Sequence, residues 1–143
     1  MGGSITKANI IKEAVERKAR AKSIIRTSKL KLSQIGRIRS ASDFSIGHRS
    51  GYNDPTASEV IYRDSLRETM KLAEKDYEEA QRIIRNQLRS IKDPTVRAIY
   101  RCRLVKQMSW QDVAETVNME EAAAKMRFYR EQKKTEKRNK RPA

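Results

Sequence analysis

Three cationic side chains, Lys125, Arg127 and Arg130, lie within six residues of one another in an alanine-rich segment near the end of the chain. At helical spacing, lysine and arginine can donate charged hydrogen bonds to DNA phosphates and to base edges. Another short apolar segment precedes this alanine-rich segment, and a turn-like stretch around Asn118 separates the two segments. This pattern is typical of a helix-turn-helix, which lays its second helix in the major groove. The alternative is a three-helix packing module whose arginines are merely solvated.

The chemistry predicted for this chain is binding and not catalysis. It contains no glycine-rich phosphate loop, no paired-carboxylate pattern and no nucleophile–histidine arrangement. The one histidine, His48, has no other metal-ligating residues at ligand spacing. The one cysteine, Cys102, excludes an internal disulfide, and its helical context predicts a small core residue. We therefore expect no enzyme, no metal and no other cofactor.

The net charge of +15 predicts a polyanionic partner. Residues 1–51 carry 12 basic and 3 acidic side chains, residues 52–92 carry 8 of each, and residues 93–143 carry 13 and 7. Double-stranded DNA fits this charge best. A membrane surface fits less well, because no segment is both basic and broadly apolar on one face. The chain has no signal peptide and no apolar run of membrane-spanning length, which predicts a soluble, cytoplasmic protein.

The elements that must position the cations are predicted to be helices only. Charged residues are 36% of the chain and aromatic residues 6%, and alternating β-branched runs are absent. We predict a basic helical arm over residues 1–42, which Thr27 and Ser28 could interrupt, and a linker rich in serine and glycine over 43–55. A basic, disordered tail is predicted over 134–143.

Residues 56–92 predict one long, coiled-coil-like helix. Its apolar residues recur every three or four positions, close to a heptad seam with one stutter: Leu66, Met70, Ala73, Tyr77, Ala80, Ile84, Leu88 and Ile91. A helix of roughly 55 Å cannot bury such a seam alone. Its partner is either the N-terminal arm, folded back as a hairpin, or the same helix of a second chain, and a homo-oligomer, preferably a dimer, is expected.

Residues 93–133 predict a small module of three helices. Asp93 and Pro94 suit the cap and first turn of the first helix. Ser109 and Asp112 form a capping-box pattern that starts the second helix at Trp110. Asn118 tolerates the left-handed turn before the third helix. The predicted core of the module comprises Ile99, Trp110, Val113, Val117, Ala124 and Phe128.

The stretch DPTVRAIYRCRLVKQMSWQDVAETVNMEEAAAKMRFYR resembles region 4 of bacterial sigma factors. It is still more similar to phage-encoded regulators of late genes that are built on that region. With the long helix, the resemblance covers about residues 52–133. It implies that Lys125, Met126 and Arg130 face bases or phosphates, and that Ser109 and Gln111 contact phosphate. Taken with the predicted outer face of the third helix, the DNA-binding set is Ser109, Gln111, Ala122, Lys125, Met126, Arg127, Tyr129, Arg130 and Lys133.

Two positions depart from the pattern of these regulators. Gln107 stands where the family usually turns on a glycine, and Glu120 stands where a serine or threonine normally caps the recognition helix. Two outcomes are open for the second position. The helix could start earlier, capped by Asn118, or its first turn could be poorly held.

The resemblance implies a DNA-binding transcription regulator in a bacterial host cell, associated with the nucleoid. It would act near a promoter and could contact RNA polymerase. A complete sigma factor is excluded, because the chain lacks a second domain with an aromatic-rich helix for melting promoter DNA. One alternative is a phage DNA-packaging recognition subunit that assembles into a ring. Another is a coiled-coil adaptor whose basic ends bind other proteins.

Overall fold

The computed structural model describes residues 6–45 and 56–140, with side chains for 6–35 and 56–134. These residues form helices and no strand, which confirms the predicted all-α fold. The helices are α1 (Lys7–Ser45), α2 (Ala57–Arg89), α3 (Pro94–Tyr100), α4 (Trp110–Val117) and α5 (Glu121–Lys140). A π-helical segment, Arg101–Val105, continues α3. None of these helices is both long and apolar enough to cross a membrane.

The chain folds as two compact units whose boundary falls within both long helices. The first unit takes α1 up to Lys18 and the chain from Glu79 onward, and the second takes Ala19 to Glu78. The predicted module of residues 93–133 is therefore part of a larger unit, to which one end of α1 and one end of α2 also belong.

Within the first unit, α1 and α2 run antiparallel. Lys7 donates a hydrogen bond to the carbonyl oxygen of Ser90 at 3.4 Å, and ten residues later Arg17 pairs with Glu79 at 3.2 Å. Thr6 precedes α1, and its hydroxyl oxygen accepts a hydrogen bond from the Asn9 amide, which caps the helix start. Most of the residues buried in this unit form one cluster: Ala8, Ile11, Ala14, Ile84, Leu88, Ile91, Val96, Ile99, Tyr100, Cys102, Leu104, Val113, Ala124 and Phe128.

The second unit buries small residues along both of its helices. Ala21 and Ser28 of α1 are buried, as are Leu66 and Ala73 of α2. In the first unit, α1 thus supplies the partner for the seam of α2, which was one of the two predicted alternatives. In the second unit, parts of the same two helices belong to one compact unit. Ile84 and Leu88 of that seam lie in the core of a single chain, and the expected homo-oligomer stays a prediction.

Three features differ from the sequence predictions. Thr27 and Ser28 do not interrupt α1, because Ser28 lies on the buried face and neither glycine nor proline stands near it. The predicted disordered tail is helical from residue 134 to Lys140, in keeping with its lysines, arginine and glutamate, which favour helix. α1 also runs three residues into the predicted linker. The rest of that linker, with His48, and residues 141–143 lie outside the described residues.

The junction between α2 and α3 is held by side chains. The Asp93 carboxylate accepts a hydrogen bond from the Thr95 amide at 2.9 Å, and Pro94 occupies the first turn of α3, as predicted. The Arg97 side chain turns back and donates to the carbonyl oxygens of Leu88 and Ile91. The Leu88 carbonyl oxygen also accepts from the Ile91 amide, so the Arg97 side chain adds to the bonds that close the end of α2. The junction therefore fixes α3 against α2.

Candidate nucleic-acid interface

An aromatic pair between α3 and α5 forms the centre of the C-terminal module. The rings of Tyr100 and Phe128 stack with centroids 4.5 Å apart. The Tyr100 hydroxyl donates a hydrogen bond to the Phe128 carbonyl oxygen at 3.0 Å. Burial raises the pKa of Tyr100 well above its usual range, and the negative charge of Glu131 adds to the rise. This pair couples the position of α5 to that of α3.

Trp110 extends the aromatic cluster toward the surface. Its ring meets Phe128 edge-on at 5.3 Å and lies 6.4 Å from the ring of Tyr129. The Arg103 guanidinium lies over the indole ring, 4.9 Å from its centroid, and it also donates to the Met108 carbonyl oxygen at 2.8 Å. Trp110 is half-buried and contacts both Phe128 and Arg103, and it joins the start of α4 to the middle of α5.

The ends of α4 are fixed by local hydrogen bonds. The Ser109 hydroxyl oxygen accepts from the Asp112 amide, so the helix begins at Trp110 as predicted. Asn118 ends it in the left-handed region, with φ 56° and ψ 52°. The Met119 amide then donates to the Ala114 carbonyl oxygen, and the Asn118 amide donates to that of Glu115. This pair of bonds is the Schellman arrangement that closes a helix C-terminus.

Gln107 and Glu120, the two departures from the sigma-like pattern, have different structural outcomes. Gln107 adopts φ 54°, the left-handed conformation that glycine takes most easily. Asn118 closes α4, and α5 does not start before Glu121. Glu120 occupies the position before α5, where its carbonyl oxygen accepts the first helical bond, from Ala124, at 3.0 Å. The alternative with an earlier start at Asn118 is therefore wrong.

The predicted core residues occupy two levels of burial. Ile99 and Val113 are fully buried, while Trp110 and Val117 are partly buried against the same cluster. On α5, Ala124 and Phe128 face this core. The outer side of the helix is consequently the side that lies opposite these two residues.

We call this outer side the α5 face and define it by five exposed residues: Ala122, Met126, Tyr129, Arg130 and Lys133. At 100° per residue they fall within an arc of about 100°. Met126 and Tyr129 remain 52% and 50% exposed, and because they are three positions apart they lie next to each other on the helix surface. The face therefore combines apolar side chains at its centre with cations toward its C-terminal end.

Two of the predicted DNA-binding cations are held in ion pairs at the sides of α5. Lys125 pairs with Glu121 one turn earlier at 3.2 Å. Arg127 reaches Asp93 at the head of α3, with 3.8 Å between the charged atoms. Among the described residues, the ion pairs include neither Arg130 nor Lys133. The cations best placed for an outside ligand are thus Arg130 and Lys133, whereas the sequence pointed to Lys125 and Arg130.

Ser109 and Gln111 are exposed at the N-terminal end of α4. The amides of a first helical turn favour an anion there. The Ser109 hydroxyl is occupied by the cap, however, and the exposed Asp112 carboxylate stands in the same turn. Gln111 is the one of the two predicted residues whose side chain is not committed to the cap.

Three residues that stabilise the interface were not singled out from the sequence. Lys7, on α1, pairs with Glu131 of α5 at 3.3 Å. Arg97 holds the end of α2, and Arg103 stacks on Trp110. Their partners are distant in sequence or are backbone carbonyls, so no local pattern reveals them. The tryptophan seven residues after Arg103 is the one signal that could have suggested a cation–aromatic contact.

Comparison of the chain with protein-family models, with curated proteins and with solved structures finds no match in any of the three. The similarity to region 4 of sigma factors thus depends on the residues quoted above, and its functional implications stay predictions.

The Tyr100 hydroxyl provides a stability test for the packing behind the α5 face. The pKa of this hydroxyl is higher in the folded chain than in the unfolded chain. Its contribution to the free energy of unfolding is therefore complete below about pH 10 and is lost as the pH rises above that value. Tyr100→Phe should remove this part of the pH dependence and cost about 1 kcal/mol at neutral pH. Urea unfolding of the parent and of Tyr100→Phe at pH 8 and pH 10.5 measures the free energy of unfolding and its change with pH. An equal loss of stability with pH in the two proteins would contradict the prediction.

Proposed function

We propose that the protein is a sequence-specific transcription regulator that binds double-stranded DNA through the α5 face. The observation that carries the proposal is the combination, on one side of a helix, of exposed Met126 and Tyr129 with Arg130 and Lys133, which take part in no ion pair among the described residues. The opposite side of the same helix is fixed by the Tyr100–Phe128–Trp110 cluster. A rigid helix with one adaptable face is what major-groove recognition requires.

The chemistry of the α5 face matches the groups exposed in the major groove. Arginine can donate two hydrogen bonds to guanine, and apolar side chains contact the thymine methyl group. Arg130 suits the first role and Met126 the second, while Ala122 is small enough for a close approach. Lys133, three residues beyond Arg130, suits a phosphate. Lys125 can also contact DNA, because leaving an exposed ion pair such as its own loses only about 0.3–0.5 kcal/mol.

The finer assignment depends on the sigma-like sequence. The order of caps and turns from Asp93 to Arg130 supports a regulator similar to phage late-gene activators, acting near a promoter and in contact with RNA polymerase. Exposed Gln111 and the start of α4 would meet phosphate beside the groove. The exposed carboxylates of Glu120 and Glu121 disfavour phosphate near the start of α5, so the base contacts belong to the middle of that helix.

The proposal predicts strongly salt-dependent DNA binding. Each neutralised phosphate contributes about −0.9 to the slope of log affinity against log salt, so three or more contacts give a slope of about −3 or steeper. Fluorescence anisotropy of a labelled duplex, titrated from low to physiological salt, measures the slope. Selection of bound fragments from genomic DNA then supplies the preferred sequence. A slope near zero would exclude DNA as the ligand, and equal affinity for all fragments would exclude sequence-specific recognition.

A further inference from the structure

The part of α1 in the second unit carries an uncompensated positive charge. From Ala19 to Ile35 it contains five basic and no acidic residues. All five are exposed: Arg20, Lys22, Arg26, Lys29 and Lys31. The part of α2 in the same unit contains six acidic side chains, yet the ion pairs among the described residues include none of these five cations. As far as the described side chains are concerned, the charge of this segment is therefore available to an outside partner.

Three of the cations form a row along one flank of the helix. Lys22, Arg26 and Lys29 are spaced by four and three residues, which places them within an arc of about 60° and over about 10 Å of the helix axis. Like charges at this spacing repel one another and destabilise a helix by about 0.2–0.5 kcal/mol for each pair. A polyanion bound along the row would offset this repulsion, because its negative charges attract all three cations.

We propose that this cationic row, Lys22, Arg26 and Lys29, is a second DNA contact that binds the phosphate backbone without reading sequence. The proposal depends on the proposed function only in its choice of duplex DNA as the polyanion. Long lysine and arginine side chains on a regular helix can each meet a phosphate oxygen, and DNA presents one negative charge per about 1.7 Å of its axis. The row would add affinity for every duplex and would leave discrimination to the α5 face.

The packing of α1 favours DNA over a membrane surface. A helix that lies in a membrane interface needs a free apolar face beside its cations. Here the inner face of α1 is already used, with Ala21 and Ser28 buried at 2% and 4% exposure. The exposed apolar residues Ile24 and Leu30 are six positions apart, which places them about 120° from each other on the helix. They form no stripe that could insert between lipids.

A pair of charge-matched variants tests the row in the full-length protein. The first is the triple substitution Lys22→Gln, Arg26→Gln and Lys29→Gln. The control is Arg67→Gln, Lys71→Gln and Lys75→Gln, which removes the same charge from exposed positions of α2 in the same unit. Both variants should stay helical by circular dichroism, because glutamine is a good helix former. The salt slope of each is measured on a random duplex and on the selected duplex.

The row variant should lose about 2–3 from the magnitude of the slope on both duplexes, while its preference for the selected sequence is unchanged. The control variant should keep the slope of the parent. Equal slopes for the two variants would overturn the proposal, and so would a row variant that binds anionic phosphatidylserine vesicles less tightly while its DNA slope is intact. The two proposals fail separately. Loss of discrimination in Arg130→Ala tests the α5 face, and loss of slope in the row variant tests α1.

Discussion

Phe128→Ala is expected to unfold the C-terminal module and to abolish DNA binding at the same time. Phe128 is 5% exposed and contacts Tyr100 and Trp110 through its ring, so truncation leaves a cavity among three helices. Such a change costs about 3–5 kcal/mol, which approaches the whole stability of a small domain. The melting temperature, measured by circular dichroism, and the affinity for a labelled duplex, measured by fluorescence anisotropy, should both fall.

The matched control for this prediction is Met126→Ala, two residues earlier on α5. Met126 is 52% exposed, and substitution of an exposed residue usually changes stability by less than about 0.5 kcal/mol. Its melting temperature should stay near that of the parent. If Phe128→Ala has the same melting temperature as Met126→Ala, the aromatic cluster neither holds the module together nor supports the α5 face.

The local signals in the sequence were sufficient to predict the helix ends around the interface. Asp93 and Ser109 accept amide hydrogen bonds from residues two and three positions ahead, and Asn118 takes the left-handed turn. Each of these features depends on neighbours within one helical turn, so the pattern of residue types contains the necessary information. The all-α fold followed in the same way from helical periodicity.

The role of α1 was harder to predict, because beyond Ile11 its buried face is built from small and polar residues. Ala14, Ala21 and Ser28 recur every seven positions, but none is large enough to mark an apolar seam. The larger residues Ile24 and Leu30 are 43% and 58% exposed. A helix that packs through alanine and serine therefore looks like a solvated basic arm until its partner helix is in place.

The ion pairing of the α5 cations was not predicted, for a related reason. Arg127 and Asp93 are far apart in sequence, and their pairing follows from the packing of α5 against the head of α3. No rule of helical spacing predicts such a contact. The face of α5 was predictable from the inward positions of Ala124 and Phe128, whereas the availability of each cation on it depends on tertiary neighbours.

Arg130→Ala, alone and with Lys133→Ala, should separate recognition from folding. Both side chains are exposed and outside the ion pairs of the described residues, so the melting temperature should hardly change. If Arg130 reads a base, its loss costs about 1–3 kcal/mol of affinity for the selected sequence, or roughly 5- to 150-fold. Lys133 should add a weaker loss, equal on every duplex, and lower the magnitude of the salt slope by about 0.9.

The sharpest comparison is with Arg127→Ala, which removes the same charge three residues earlier. Because Arg127 pairs with Asp93 beside the α3 cap, its loss should act mainly on the head of α3 and leave sequence preference intact. Affinities of the three variants for the selected duplex and for a scrambled duplex distinguish these roles. A double variant Arg130→Ala, Lys133→Ala that binds the selected duplex as tightly as the parent would reject the α5 face as the reading surface. Equal losses on both duplexes for Arg130→Ala would reduce its role to a phosphate contact, since only a base contact makes affinity depend on the sequence.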